Sequence, residues 1–190
     1  MDLTSKYKIV EGTVFKLRPY KLRDAQGLYN LLTNQDVLKY FSTPKLESPE
    51  EAQSLIQDYL EGVKKGNSLR WAIADRETDE FMGMMGFRKF QWENYRGEVG
   101  YGLFPEYWGK GLIKEALGLA IRFAFSELNL HSIEAQVDPN NIASAKVLEK
   151  LGFKQEAYHK QNHYFDGQFW DTVVYALINS ESWKMYTPSK

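Results

Sequence analysis

Residues 98 to 137 read as strand, glycine loop, helix and strand, and few folds accommodate that order. EVGYGLF (98–104) alternates in the manner of a strand, and Pro105 then prevents its simple continuation. Gly109 and Gly111 open a helix expected over 110–128. Its Ile113, Leu117, Ile121 and Phe125 form one stripe, with Ala116, Ala120 and Ala124 beside it. Residues 132–137 form the returning strand. A strand–helix–strand unit of this length favours parallel pairing through a right-handed crossover, so a mixed α/β sheet is the expected framework.

The flanking sequence extends that framework in both directions. Val14, Phe15 and Leu17 mark a first strand over 14–18, ended by Pro19. Asp24 stands where it could cap a helix whose Leu28, Leu31 and Leu32 share a face. Ser48-Pro49-Glu50-Glu51 predicts a helix start in which Ser48 caps, Pro49 takes the first helical position and Glu51 closes a capping box. Ala52, Leu55, Ile56, Tyr59, Leu60 and Val63 follow at helical spacing until Gly66-Asn67. Strands over 69–74 and 82–90 flank a polar turn at 76–80. A short helix over 141–151 ends at Gly152, and strands over 153–164 and 168–178 close a hairpin around Asp166-Gly167.

Composition narrows the function classes. The 190 residues, 43% of them hydrophobic, suffice for one sizeable core. A net charge of −1 supplies no global basic field, so neither nucleic acid nor an anionic membrane is expected as a partner. The chain has no cysteine, which removes a thiol nucleophile, disulfides and thiolate metal sites; no metal is expected. MDLTSKYKIVEG lacks the apolar centre of a signal peptide, and no apolar run approaches a membrane span. A cytoplasmic protein is the expectation.

The glycine loop has chemistry of its own. Glycines between a strand and a helix present bare N–H groups and a positive helix end to an anion. It is not a P-loop, because GxxxxGK[ST] is absent. Nor is it a dinucleotide fingerprint, because Gly100 and Gly102 lie within the strand and Pro105 follows. On local grounds alone, GKG could simply permit a tight turn. Asn141, taken alone, is a helix cap and Ser144 a small packing residue.

GEVGYGLFPEYWGKG, NNIASAKVLEKLGF and DTVVYALINSESW together resemble the GNAT acetyltransferase superfamily, and most closely its ribosomal-protein N-terminal (serine/alanine) acetyltransferase-like branch. Weaker similarity runs from about Thr13 to Trp183, which implies one domain over 1–190 with its core at about 13–183. The resemblance implies a GNAT-like mixed central sheet flanked by helices, with its fourth and fifth strands parallel and splayed. It implies a coenzyme A pyrophosphate cradle from Trp108, Gly109, Lys110, Gly111 and Leu112. The backbone of the strand that ends at Leu103 would meet the pantetheine arm, together with Asn141. Glu106 departs from the Gln or Arg common three residues before the first loop glycine. Leu148 stands where many members carry a tyrosine acid, so Ser144 is the residue expected beside the sulfur.

Attack on a thioester needs a free amine, and Glu98 at the sheet centre is the best candidate base; on local grounds alone it reads equally as a solvent-facing or salt-bridged glutamate at a strand start. It alternates with Gly100 and Gly102 on one face, where open space is expected. His131, His159 and His163 are weaker candidates. Trp71, Phe87, Phe90 and Tyr101 read as core, Trp92 and Tyr95 as a specificity loop, and the aromatic 158–169 segment as the acceptor mouth. The implied activity is direct acetyl transfer from acetyl-CoA to an amine, either a protein N-terminus or a small molecule. A non-catalytic acyl-CoA-binding or sensing module is the alternative. Monomer and homodimer both fit the sequence.

Overall fold

The structure, a computed structural model, describes residues 2–41 and 45–180. Among them eight strands form one sheet: β1 (Val10–Glu11), β2 (Phe15–Pro19), β3 (Ser68–Asp75), β4 (Phe81–Gln91), β5 (Arg96–Leu103), β6 (Ser132–Val137), β7 (Lys154–Phe165) and β8 (Gln168–Ile178). Their order is β1-β2-β3-β4-β5-β6-β8-β7. Only the β5–β6 pair is parallel, which is the outcome that the strand–helix–strand run requires. The expected fourth and fifth strands are therefore β5 and β6, displaced by one in number because the short edge strand β1 precedes the strand expected first.

Five helices cover the two faces: α1 (Ala25–Thr33), α2 (Gln35–Leu38), α3 (Pro49–Lys65), α4 (Leu112–Ser126) and α5 (Ile142–Lys150). Strand alternation sorts the core between them. Leu69, Trp71 and Ile73 of β3 pack with Leu117, Ile121 and Phe123 of α4, and Trp71 meets Phe123 edge-on at 5.1 Å. Ala72, on the opposite face, packs with Leu28, Leu32, Ile56 and Tyr59 of α1 and α3. The sheet lies between these layers.

Several local expectations are corrected. Val14 is 54% exposed and lies outside β2, whereas Pro19 is the strand's last residue. Ser48 makes no side-chain cap bond; Glu51 accepts instead from the Glu47 amide at 2.8 Å. Helix α4 starts at Leu112 because Gly109 and Gly111 hold φ of +73° and +79°, outside the right-handed helical region. Asp24 does not cap α1 with its side chain; it is buried against Arg18. The expected boundary at Trp183 lies outside the described residues.

That buried pair anchors the N-terminal half. Arg18 donates both Nη atoms to Asp24 at 2.7 and 2.8 Å, and its Nε donates to Asp79 at 2.7 Å. Lys21 and Lys16 also reach Asp79, at 2.6 and 3.2 Å. Burial alone would raise the Asp79 carboxyl, but Lys21, Arg18 and Lys16 outweigh it and hold the group below its usual 3.8. Its stabilisation is thus complete above that value and lost as the pH falls toward the lower folded one. Asp79→Asn is expected to lower stability at pH 7 by about 2 kcal/mol. Urea unfolding at pH 7 and at successively lower pH should show that difference shrinking below about pH 4.

Candidate active site

The ladder between β5 and β6 is short. It joins Arg96 to Ser132, Gly97 to Ile133 and Glu98 to Glu134, and then stops. Beyond that vertex β5 follows β4 as far as Leu103, while β6 follows β8 as far as Val137. A wedge opens between residues 99–103 and 135–137. A cleft of about 790 Å³ occupies it, bounded by Val99, Gly100 and Tyr101 on one side and by Ala135, Gln136 and Val137 on the other. Asn141 and Ser144 of α5 also line it. From Glu98 to Leu103 the strand spans about 17 Å at the usual rise, so a ligand joining the vertex to the glycine loop must be extended.

The loop itself does not line this cleft; it follows the open end of β5. No side chain caps the N-terminus of α4, where Gly111 is the cap residue, so the first helical amides lack intrahelical acceptors. A Cβ added at Gly109 or Gly111 would meet nothing within 4 Å. The glycines are thus required by their positive φ, and the space above them is open. Trp108 is 46% exposed, and its Nε1 donates to the Leu103 carbonyl at 2.9 Å. That carbonyl therefore already has a protein donor. Lys110 holds its ammonium 5.9 Å from the Tyr107 ring centroid. Glu106 is exposed. Leu112 begins the helix and is buried.

At the other side of the cleft, Asn141 caps α5: its Oδ1 accepts the Ser144 amide at 3.0 Å, which leaves Nδ2 to face outward chemistry. Ser144 Oγ lies 2.8 Å from the Tyr101 hydroxyl. Burial pushes the Tyr101 phenol up to about 12, against the opposing bond to Ser144, so it stays protonated throughout the neutral range. Leu148 is fully buried in the core.

Glu98 occupies the vertex and is only 4% exposed. Arg88, directly opposite on β4, donates its Nε to Oε1 at 2.6 Å; Lys89 reaches Oε2 at 2.8 Å. Successive strand residues ordinarily point to opposite faces. Here the register breaks between Arg88 and Gln91, and Lys89 takes φ +51°, so a bulge turns both cations onto one carboxylate. Arg88 and Lys89 line the cleft, with Glu98 behind them. Open space exists at Gly100 but not at Gly102, where a Cβ would lie 3.0 Å from the Phe41 ring.

Trp92 and Tyr95 do not line the cleft: Trp92 stacks on Phe90 at 4.5 Å and bonds the Gly66 carbonyl at 2.9 Å, a structural post. His131 donates its amide to the Tyr95 carbonyl, and neither His131 nor His159 lines the cleft. His163, Trp170 and Asp171 of the β7–β8 hairpin do line it. Sequence reading missed Tyr101, Arg88 and Lys89. Large aromatic residues such as Tyr101 are most often buried in the core; only the parting of the strands brings its hydroxyl to Ser144. Among the described residues no group of three His, Cys, Asp or Glu side chains could hold a metal. Among them, too, no helix is long and apolar enough to cross a membrane.

Comparison with known proteins agrees with this geometry. The family described as "Acetyltransferase (GNAT) domain" matches residues 15–154. The uncharacterized N-acetyltransferase YoaA of Bacillus subtilis (strain 168) is 33% identical over 172 residues, 90% of this chain and 97% of that one. The ribosomal protein uS5-alanine N-acetyltransferase of Escherichia coli (strain K12) is 31% identical over 173 residues, 88% of this chain and 87% of that one. The solved ribosomal-protein-S5-alanine acetyltransferase of Vibrio fischeri superposes with a TM-score of 0.82 at 26% identity, covering 91% of this chain and 97% of that one. With a parted parallel strand pair, a glycine-opened helix and a match over most of its length, this chain belongs to the GNAT acetyltransferase family.

Proposed function

We propose that the chain transfers an acetyl group from acetyl-CoA directly to a primary amine, with a protein N-terminal α-amino group or a small amine as acceptor. The observation that carries this reading is the parted β5–β6 pair, flanked by the uncapped start of α4 and by the Tyr101–Ser144 hydroxyl pair. The amides of Gly109, Lys110, Gly111 and Leu112 take the pyrophosphate, where the helix dipole favours negative charge; the Trp108 amide, expected in the same cradle, already donates to the Pro105 carbonyl at 3.0 Å. The free edge of residues 99–103 and the Asn141 amide meet the amides of the pantetheine arm.

In the reaction, the amine nitrogen attacks the thioester carbonyl carbon and a tetrahedral oxyanion forms. The C–S bond then breaks, with the electron pair leaving on sulfur and the amine losing its proton. Ser144, backed by Tyr101, donates to the departing thiolate. Burial raises the Tyr101 phenol above its ordinary value, further above a thiol, so a hydrogen bond to the departing thiolate is favoured over proton transfer to it. Glu98 is the assigned base for the amine proton. Arg88 and Lys89 hold its two oxygens, so the proton reaches it through an intervening water or after one cation shifts aside.

Three measurements test this reading. Gly111→Ala puts a methyl group into the open approach and forces a side chain to adopt φ +79°. CoA affinity by calorimetry should fall about 10-fold or more, with a modest drop in melting temperature; equal affinity would remove the loop from the site.

Initial rates at several fixed acceptor concentrations should give intersecting lines, since no cysteine is present to carry an acetyl group. Parallel lines together with an acetylated protein mass would overturn direct transfer.

Glu98→Gln should reduce turnover about 100-fold at pH 7, and the deficit should narrow at high pH, where the amine is already deprotonated. Ser144→Ala should cost less at every pH. The pH profile is the discriminating readout, because Glu98→Gln also strands Arg88 and Lys89 without their carboxylate. A loss independent of pH would make Glu98 a purely structural counter-ion.

A further inference from the structure

Five ionic side chains line the cleft, and four of them are already engaged. Arg88 and Lys89 share Glu98. Asp138 accepts the Asn140 amide at 2.7 Å, and Asp171 accepts the Tyr158 hydroxyl at 2.6 Å and the Gln161 amide at 2.8 Å. Arg70 alone has no carboxylate partner among the described residues. Its guanidinium stands over the Tyr59 ring, 4.5 Å from the centroid, a contact that orients it without neutralising it.

Tyr20 lines the same cleft, is 4% exposed, and its hydroxyl has no hydrogen-bond partner among the described residues. A buried phenol without a partner is uncommon and calls for an acceptor. Tyr20 and Arg70 are also held to each other through the backbone. The Tyr7 hydroxyl accepts the Tyr20 amide at 3.2 Å and donates to the Arg70 carbonyl. Opposite Arg70, residue 86 must be glycine, because a Cβ there would lie 2.5 Å from the Arg70 Cα. A cation that meets only the Tyr59 side chain, with no carboxylate partner among the described residues, and a buried donor thus occupy a fixed corner of the cleft, on the face covered by α1 and α3.

Building on the acetyl-transfer reading, we propose that Arg70 and Tyr20 form an anion-recognition corner for the acceptor. The acceptor is then an amine carrying a carboxylate close by: either an α-amino acid through its own carboxylate or a peptide through an acidic residue next to its N-terminus. A guanidinium fork suits a carboxylate in two-point contact, with the phenol as a third donor.

The test uses the full chain saturated with CoA. Calorimetric titrations compare N-acetylalanine with N-acetylalaninamide, and N-acetyl-Ser-Asp-Phe-amide with N-acetyl-Ser-Asn-Phe-amide. In at least one pair the member with the carboxylate should bind about 10-fold more tightly or better. The pair that shows the preference tells the amino-acid source from the peptide source. Arg70→Met should bring that ratio near unity, Arg70→Lys should restore part of it, and Tyr20→Phe should reduce it about 3-fold; CoA affinity reports that each variant is folded. Equal binding within both pairs by the wild-type protein would overturn the proposal, whatever the variants do. The parent amines are then assayed for acetylation. A binding preference without any acetylation would sink the transfer reading and leave the anion corner standing. Acetylation of charged and neutral acceptors at equal efficiency would do the reverse.

Discussion

Past Glu98 and Glu134, β5 and β6 each lean on the other neighbouring strand, and the backbone between them is left without a partner. In an ordinary sheet interior such a gap would strand buried donors and acceptors at considerable cost. Here the wedge opens to solvent as a cleft, so water or a ligand can satisfy those groups. The parting also explains why side chains from both faces share one cavity. Arg70 and Tyr59 come from the face of α1 and α3, while Tyr101 belongs to the α4 face and reaches Ser144 through the gap.

The vertex needs its own stabilisation, because a buried carboxylate sits there among three registered pairs. A lone buried charge would be severely destabilising, and Glu98 is neutralised by two cations rather than one. The β4 bulge makes this geometry available, at the cost of a positive φ at Lys89. The residue that closes the strand ladder is the one proposed as base, and both of its cations line the cleft. If Glu98 takes that role, activity and stability are coupled there, and only a property that depends on pH separates them.

The crossover that places β5 beside β6 was legible because hydrophobic period and glycine position are local signals. So was the end of α3, where Gly66 takes a left-handed φ of 72°, whereas α4 starts two residues later than expected because of the positive φ at Gly111. The site was legible in part. Gly109, Gly111, Asn141, Ser144 and Glu98 follow from motif and resemblance, and the structure brings Asn141 and Ser144 together while leaving the loop at the far end of β5. The role of Tyr101 was hidden, since an aromatic residue of this kind is usually core and the splay that brings its hydroxyl to Ser144 is a tertiary property. Lys89 was hidden for a different reason: a bulge overrides the alternation by which its direction would be read. Arg70 offers no sequence signal, because what sets it apart is a missing partner in space.

That missing partner bears on how one fold serves different acceptors. The proposed CoA side of the cleft is built from backbone amides, an asparagine cap and small hydroxyls, all of which tolerate sequence change elsewhere. The opposite wall, the proposed acceptor side, is lined by charged and aromatic side chains from α3, β3, β4 and the β7–β8 hairpin. In the hairpin, Gln161 adopts φ +48° at a break in register, and Asp171 fixes its amide. Irregular backbone of this kind aims Asn162 and His163 into the cleft without altering the sheet. On the proposed acetyl transfer, selectivity would reside where substitution leaves the wedge intact. The Arg70 guanidinium, which no carboxylate pairs among the described residues, is where the proposed discrimination between amines would act.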